Sequence, residues 1–292
     1  MHMLPSIVAV PLVALPFGVV AGLCIRRWPH SDLVAPRIEP ATVSQEARRR
    51  PRLRALLRSR IDPATETGLL LSVAVVAVVV SLSVVGMVAE MVRTNRGLAA
   101  YDLRFADWAA VHSTPSSTQE LRALSQFGGY VTVVIFALVV AAIEHRRRLG
   151  RSVVPMLVLV VGGQFAVTNA IKFIVDRARP AVSRLTGYAG TSFPSGHAAA
   201  SAASYAVFAL LLTRRRSPLV KAIGGGIAVA IATGVAATRV LLGVHWLTDV
   251  VAGLFVGWAW FVLLSMAFGG RVLRFGDTLR KAADQLPAQP VS

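Results

Sequence analysis

The sequence predicts an all-α, polytopic membrane helix bundle, and three observations carry that prediction. Hydrophobic residues fill 55% of the 292 positions and charged residues only 15%, with a mean hydropathy of +0.63. A soluble domain usually carries about 25% charged residues. The apolar residues are gathered into blocks close to the roughly 17 to 25 residues that a helix needs to cross a bilayer. Basic residues sit in short clusters between those blocks. Such blocks have to be helical, because hydrocarbon offers no partner to an unpaired backbone group.

The first apolar stretch, 4–25, ends at Arg26-Arg27. A signal peptide would have a charged start, a shorter apolar core and a small-residue cleavage site. Here no Lys or Arg precedes the stretch, so residues 1–26 are expected to form an extra membrane helix with its N-terminus outside. Pro5, Pro11 and Pro16 each remove a backbone donor and are expected to bend it. Cys24, the sole cysteine, lies inside this stretch and reads as a packing residue; one cysteine excludes an intramolecular disulfide.

Residues 27–67 are polar and rich in proline and arginine, with Arg48-Arg49-Arg50-Pro51-Arg52 at their centre. They read as a linker whose charge fixes orientation. Six further apolar blocks follow at 68–92, 129–143, 153–175, 198–212, 222–237 and 246–268. Several are valine-rich, but their length and lack of alternation argue for helices rather than strands. Gly162-Gly163 and Gly224-Gly225-Gly226 lack the strand and lysine of a phosphate loop and read as close helix packing.

The chain's formal charge is +17. Its distribution in clusters excludes a nucleic-acid surface, which would need one basic face. Of 31 Lys and Arg, 22 fall in 26–60, 144–151, 214–221 and 271–281, and nine fall in 93–122, 172–184 and at Arg239. By the positive-inside rule the first group is cytoplasmic, which puts 172–197 and 238–246 on the outer side.

That side holds an unusual set of polar residues at block ends. Lys172 and Arg179, followed by Pro180, either snorkel to headgroups or converge on a ligand; Arg177 and Arg184 read as headgroup contacts. Phe193-Pro194-Ser195-Gly196-His197 opens a helix. Ser195 is either a simple cap or part of an anion site, since the free N–H groups and the positive helix end point at any bound anion. His245 and Asp249 are four residues apart and share a helix face. They form either a structural pair or an imidazole held in one tautomer by a carboxylate. With Arg239 and His197 nearby, the set suits a phosphoryl group, whose charge cations and N–H donors neutralise.

Together these segments resemble the signature of the type 2 phosphatidic acid phosphatase superfamily, which includes undecaprenyl-pyrophosphate phosphatases and vanadium haloperoxidases. The pattern K-x6-R-P, P-S-G-H, S-R-x5-H-x3-D fits at Lys172, Arg179, Pro180, Pro194, Ser195, Gly196, His197, Arg239, His245 and Asp249. Thr238 stands where serine is usual. The resemblance implies a six-helix phosphatase core at 68–270, flanked by the linker and a cytoplasmic tail at 271–292. It makes His245 the nucleophile, Asp249 its orienting partner and His197 the general acid that also activates water. Lys172, Arg179, Ser195, the Gly196 amide and Arg239 would hold phosphate, without metal or other cofactor.

The expected activity is hydrolysis of a lipid-linked phosphate or diphosphate at the outer face of the plasma (inner) membrane. Polyprenyl diphosphate, phosphatidic acid and phosphatidylglycerol phosphate are the candidate substrates. Apart from that substrate and membrane lipids no partner is named, and nucleic acid is excluded. A haloperoxidase, or a non-catalytic lipid-binding or transport protein on the same helices, are the alternatives. Asp176 is expected to pair with Arg177 or Arg179. His2, His30, His112 and His145 are expected to be solvated, and Tyr101, Phe105 and Trp108 read as an interfacial belt.

Overall fold

The computed structural model describes residues 6–27, 66–147, 153–181, 185–187 and 190–272. Most of the expected linker (28–65) and tail (273–292) lies outside the described residues, as do Arg184, His2 and His30. Within them the chain is helical, with no strand: α1 (Ser6–Arg27), α2 (Glu66–Thr94), α3 (Asp102–Val111), α4 (Pro115–Ser125), α5 (Tyr130–Arg146), α6 (Val153–Val158), α7 (Gln164–Val175), α8 (Gly196–Thr213), α9 (Pro218–Leu241) and α10 (Leu247–Val272).

All six apolar blocks and the described part of the first stretch form helices. Five spans are long and apolar enough to cross a bilayer individually: α1, α6–α7, α8, α9 and α10. The remaining two are bent. α2 turns by 52° into α3 and α4 turns by 49° into α5, so seven spans result if each bent pair counts as one. α3 and α4 are short helices that the sequence did not announce. α4 starts at a capping box in which Thr114 and Ser117 satisfy each other's backbone N–H.

Small residues set the helix spacing. With no hydrophobic drive between helices in lipid, close backbone approach lets dispersion hold them together. α1 runs along α9, and a Cβ on Gly18 would stand 2.7 Å from the Gly226 carbonyl oxygen, as one on Gly226 would from that of Gly18. Pro11 and Pro16 lie within α1 without interrupting it. Gly163 faces the Trp260 ring, Gly224 faces Thr213 and Gly225 faces Ile25, so with Gly226 four of the five expected packing glycines stand at close contacts, whereas Gly162 has open space beside it. At the centre, Gly253 and Gly257 of α10 lie against the backbone of α8. A Cβ there would come within 2.6 Å of the Ser195 oxygen and 2.4 Å of the Ala199 oxygen. α8 is the most enclosed helix, buried from Ala198 to Tyr205.

Candidate active site

The N-terminal ends of α8 and α10, the C-terminal ends of α7 and α9 and the described parts of the connection between α7 and α8 meet at one end of the bundle. α7 stops at Asp176, which takes a left-handed conformation (φ 43°, ψ 46°). The chain then returns along itself, with the Ser192 amide donating to the Arg177 carbonyl at 2.7 Å. Lys172 Nζ donates to the Thr191 carbonyl at 2.5 Å, and Arg179 donates to the carbonyls of Gly190, Thr191 and Val244 at 2.9, 3.1 and 2.6 Å. The loop is thus tied back to Lys172 at the end of α7 and brings Arg179 to the turn before α10.

His245 lies in the turn between α9 and α10 and is 2% exposed. Its Nδ1 is 3.3 Å from Asp249 Oδ2, and its Nε2 is 3.1 Å from Arg179 Nη1. Only one tautomer serves both contacts. Nδ1–H donates to the carboxylate, and Nε2 offers its lone pair to the guanidinium. Burial pushes the imidazole down to about 4 against the opposing pull of Asp249, which keeps it neutral at ordinary pH. Asp249 is wholly buried. Its Oδ2 also accepts from the Ser192 hydroxyl and, at 2.9 Å, from the Trp246 amide.

Ser195 precedes α8 but does not cap it. Its amide donates to the Asp249 carbonyl at 2.9 Å, while its hydroxyl is buried without a partner. Arg239 donates through Nη1 to Ser125 Oγ at 2.7 Å, and its Nε is likewise buried and unpartnered. A buried donor without an acceptor costs about 1–3 kcal/mol, so both mark places where oxygens of an anion would be welcome. Gly196 has no atom nearer than 4.0 Å to where a Cβ would stand. His197 follows it, and Arg239, His245, Arg179 and Lys172 all act on it electrostatically. The structure thus gathers all eight expected site residues at one end of the bundle.

Three expectations change. Arg177 is not a headgroup contact: Nη1 donates to Asp249 Oδ1 and Nη2 to Asp102 Oδ2, at 2.7 and 2.8 Å, above the Trp246 ring. Asp176 is exposed and, among the described residues, pairs with neither Arg177 nor Arg179. His112, expected to be merely solvated, stacks on Trp108 and reaches that residue's carbonyl at 2.8 Å. Thr238 spends its hydroxyl on the Val235 carbonyl at 2.6 Å inside α9, so the serine-to-threonine difference stays away from the site. Asp102 was missed altogether. Nothing in its local sequence sets it apart from Asp107 five residues on.

This architecture defines a multi-pass membrane protein in which a buried histidine is held between a carboxylate and an arginine. Residues 153–272 match the model of the PAP2 superfamily. Phosphatidylglycerophosphatase B of Bacillus subtilis is 33% identical over 126 residues, covering 41% of this chain and 60% of the relative. Lipid A 1-phosphatase of Rhizobium johnstonii is 38% identical over 109 residues, covering 34% and 41%. The chain thus spans less than two thirds of the length of these relatives. The crystal structure of a transmembrane PAP2 type phosphatidylglycerolphosphate phosphatase from Bacillus subtilis superposes with a TM-score of 0.62 at 27% identity, over 68% of this chain and 98% of that one.

Proposed function

We propose that this protein hydrolyses a lipid-linked phosphate or diphosphate through a phosphohistidine on His245, at the extracytoplasmic face of the membrane and without a metal ion. The observation that carries this reading is the orientation of His245 between Asp249 and Arg179. A lone pair on Nε2, fixed by a buried carboxylate and faced by a cation, is a nucleophile waiting beside an anion site.

In the first step Nε2 attacks phosphorus and the bond to the lipid oxygen breaks. That leaving oxygen takes a proton from His197. The charge on the equatorial oxygens is met by Lys172, Arg179, Arg239, the Ser195 hydroxyl and the Gly196 amide, which stand together before substrate arrives. Arg179 passes from the imidazole to the phosphate, freeing the lone pair. In the second step water loses its proton to His197 and attacks phosphorus. The P–N bond breaks, and inorganic phosphate leaves with His245 restored.

Named relatives support a lipid substrate, since one is a phosphatidylglycerophosphatase and another a lipid A phosphatase. A site at helix ends lets a headgroup enter while its tail stays in the bilayer. The outer placement rests on the Lys and Arg count. Purified protein in detergent, treated with EDTA, is expected to release phosphate from phosphatidic acid, phosphatidylglycerol phosphate or polyprenyl diphosphate, and His245→Ala to abolish release. A wild-type protein silent on all three substrates would sink the reading. kcat/KM across the three ranks the candidate substrates.

A further inference from the structure

Asp102 opens α3, 70 residues before the first motif, yet it is 3% exposed. Its carboxylate accepts three bonds: from the Thr248 amide at 3.0 Å, from the Thr248 hydroxyl at 2.5 Å and from Arg177 Nη2 at 2.8 Å. Thr248 is the second residue of α10. Its amide is one of the donors that every helix start leaves unsatisfied, so Asp102 caps the helix of Asp249 from another part of the chain.

A cap alone would explain the two Thr248 bonds but not the third. Arg177 is gripped on both sides. One nitrogen, Nη1, reaches Asp249 Oδ1 and Thr248 Oγ1, both at 2.7 Å, and the other reaches Asp102. Set against Asp249 alone, the guanidinium would cancel the carboxylate that His245 depends on. With Asp102 included, two carboxylates share one arginine, and the cluster keeps one negative charge on the imidazole side. That charge counters the positive charge of a phosphorylated imidazole, while Lys172, Arg179 and Arg239 supply the positive field on the phosphate side. The grip also stops Arg177 from swinging toward the substrate.

We propose that Asp102, acting through Arg177 and Thr248, is a positioning residue that orients Asp249 and keeps it available to His245. The role rests on the phosphatase reading above. It also gives the bent α2–α3 segment a purpose, since α3 delivers to α10 a carboxylate that none of the three motifs contains.

The test uses the full-length protein in detergent with dioctanoyl phosphatidic acid, following kcat, KM and melting temperature. Asp102→Asn keeps an oxygen for the Thr248 amide but loses the charge. Outer partners that orient metal-bound histidines typically cost about 10- to 100-fold when removed, and the same range is taken for a histidine held by a carboxylate. A fall of that size in kcat is expected, with KM within about twofold and little change in melting. Arg177→Met, which leaves the Asp102–Thr248 bonds in place, is expected to act similarly. The two together should lose little more than the worse single change, as for residues acting in one network. Asp107→Asn, an exposed carboxylate on the same helix, serves as the unaffected control.

Wild-type kcat in Asp102→Asn or Arg177→Met overturns the proposal, as does a loss that tracks only the unfolded fraction. If Asp102→Asn does not fold, Arg177→Met decides alone. Inactive wild-type protein overturns the phosphatase reading and this one with it, whereas active wild type with indifferent variants overturns only this one.

Discussion

Asp249 and Glu144 are two carboxylates at opposite ends of the bundle, both at 0% exposure and both bonded to arginine. Glu144, near the end of α5, gives one oxygen to Arg147 at 3.0 Å and the other to Arg214 at 2.5 Å, just beyond α8. Asp249 gives one oxygen to Arg177 and divides the other among Ser192, the Trp246 amide and His245. Saturation by arginine makes Glu144 a clamp between helices. Incomplete saturation leaves Asp249 able to respond to a change of charge on the imidazole. Burial of a charge does not by itself mark chemistry; the kind of group that shares it does.

The same amide substitution at the two sites should separate these roles. Asp249→Asn is expected to cut kcat by about 10²- to 10⁴-fold, the range for loss of acid–base assistance, measured as phosphate release from phosphatidic acid. Its fold should survive better than its activity, because Asp102 continues to balance Arg177. Glu144→Gln is expected to do the reverse. Removing one partner of a buried pair costs about 3–5 kcal/mol, so its melting temperature should fall while kcat of the folded fraction stays within about twofold. Adding Arg214→Met to Glu144→Gln should recover part of that stability, since an arginine without its carboxylate is the costly species. Equal loss of kcat at both ends would dissolve the distinction.

The smallest effect is on pH. Burial holds His245 at about 4, below its ordinary 6.5, so the imidazole stays neutral as pH falls through 6.5 and protonates only near the lower value. The acid limb of kcat/KM is therefore expected below pH 6, and Asp249→Asn, which removes a group that raises the value, should move it lower still. A limb at 6.5 in the wild type would mean that His245 is more solvated than its 2% exposure implies.

Much of the fold was legible because membrane spans announce themselves by length. α1 was readable in spite of Pro11 and Pro16, since neighbours along α9 hold it. α3 and α4 were not readable: at 10 and 11 residues they are too short to stand out and depend on tertiary contacts. The site residues were legible where chemistry requires a fixed spacing, as in His245 and Asp249. Arg177 was visible but misassigned, because its partners lie 72 and 75 residues away. Asp102 gave no sign at all, because its worth depends on Thr248, 146 positions further along.

Gly253 and Gly257 give the molecule its gauge. They set how near the helix that carries Asp249 may come to the helix that opens with Ser195 and His197. The site's two halves are thus kept in step by a spacing fixed one and two turns below it. A single methyl at Gly257, far from any proton or phosphate, would put the two halves out of true.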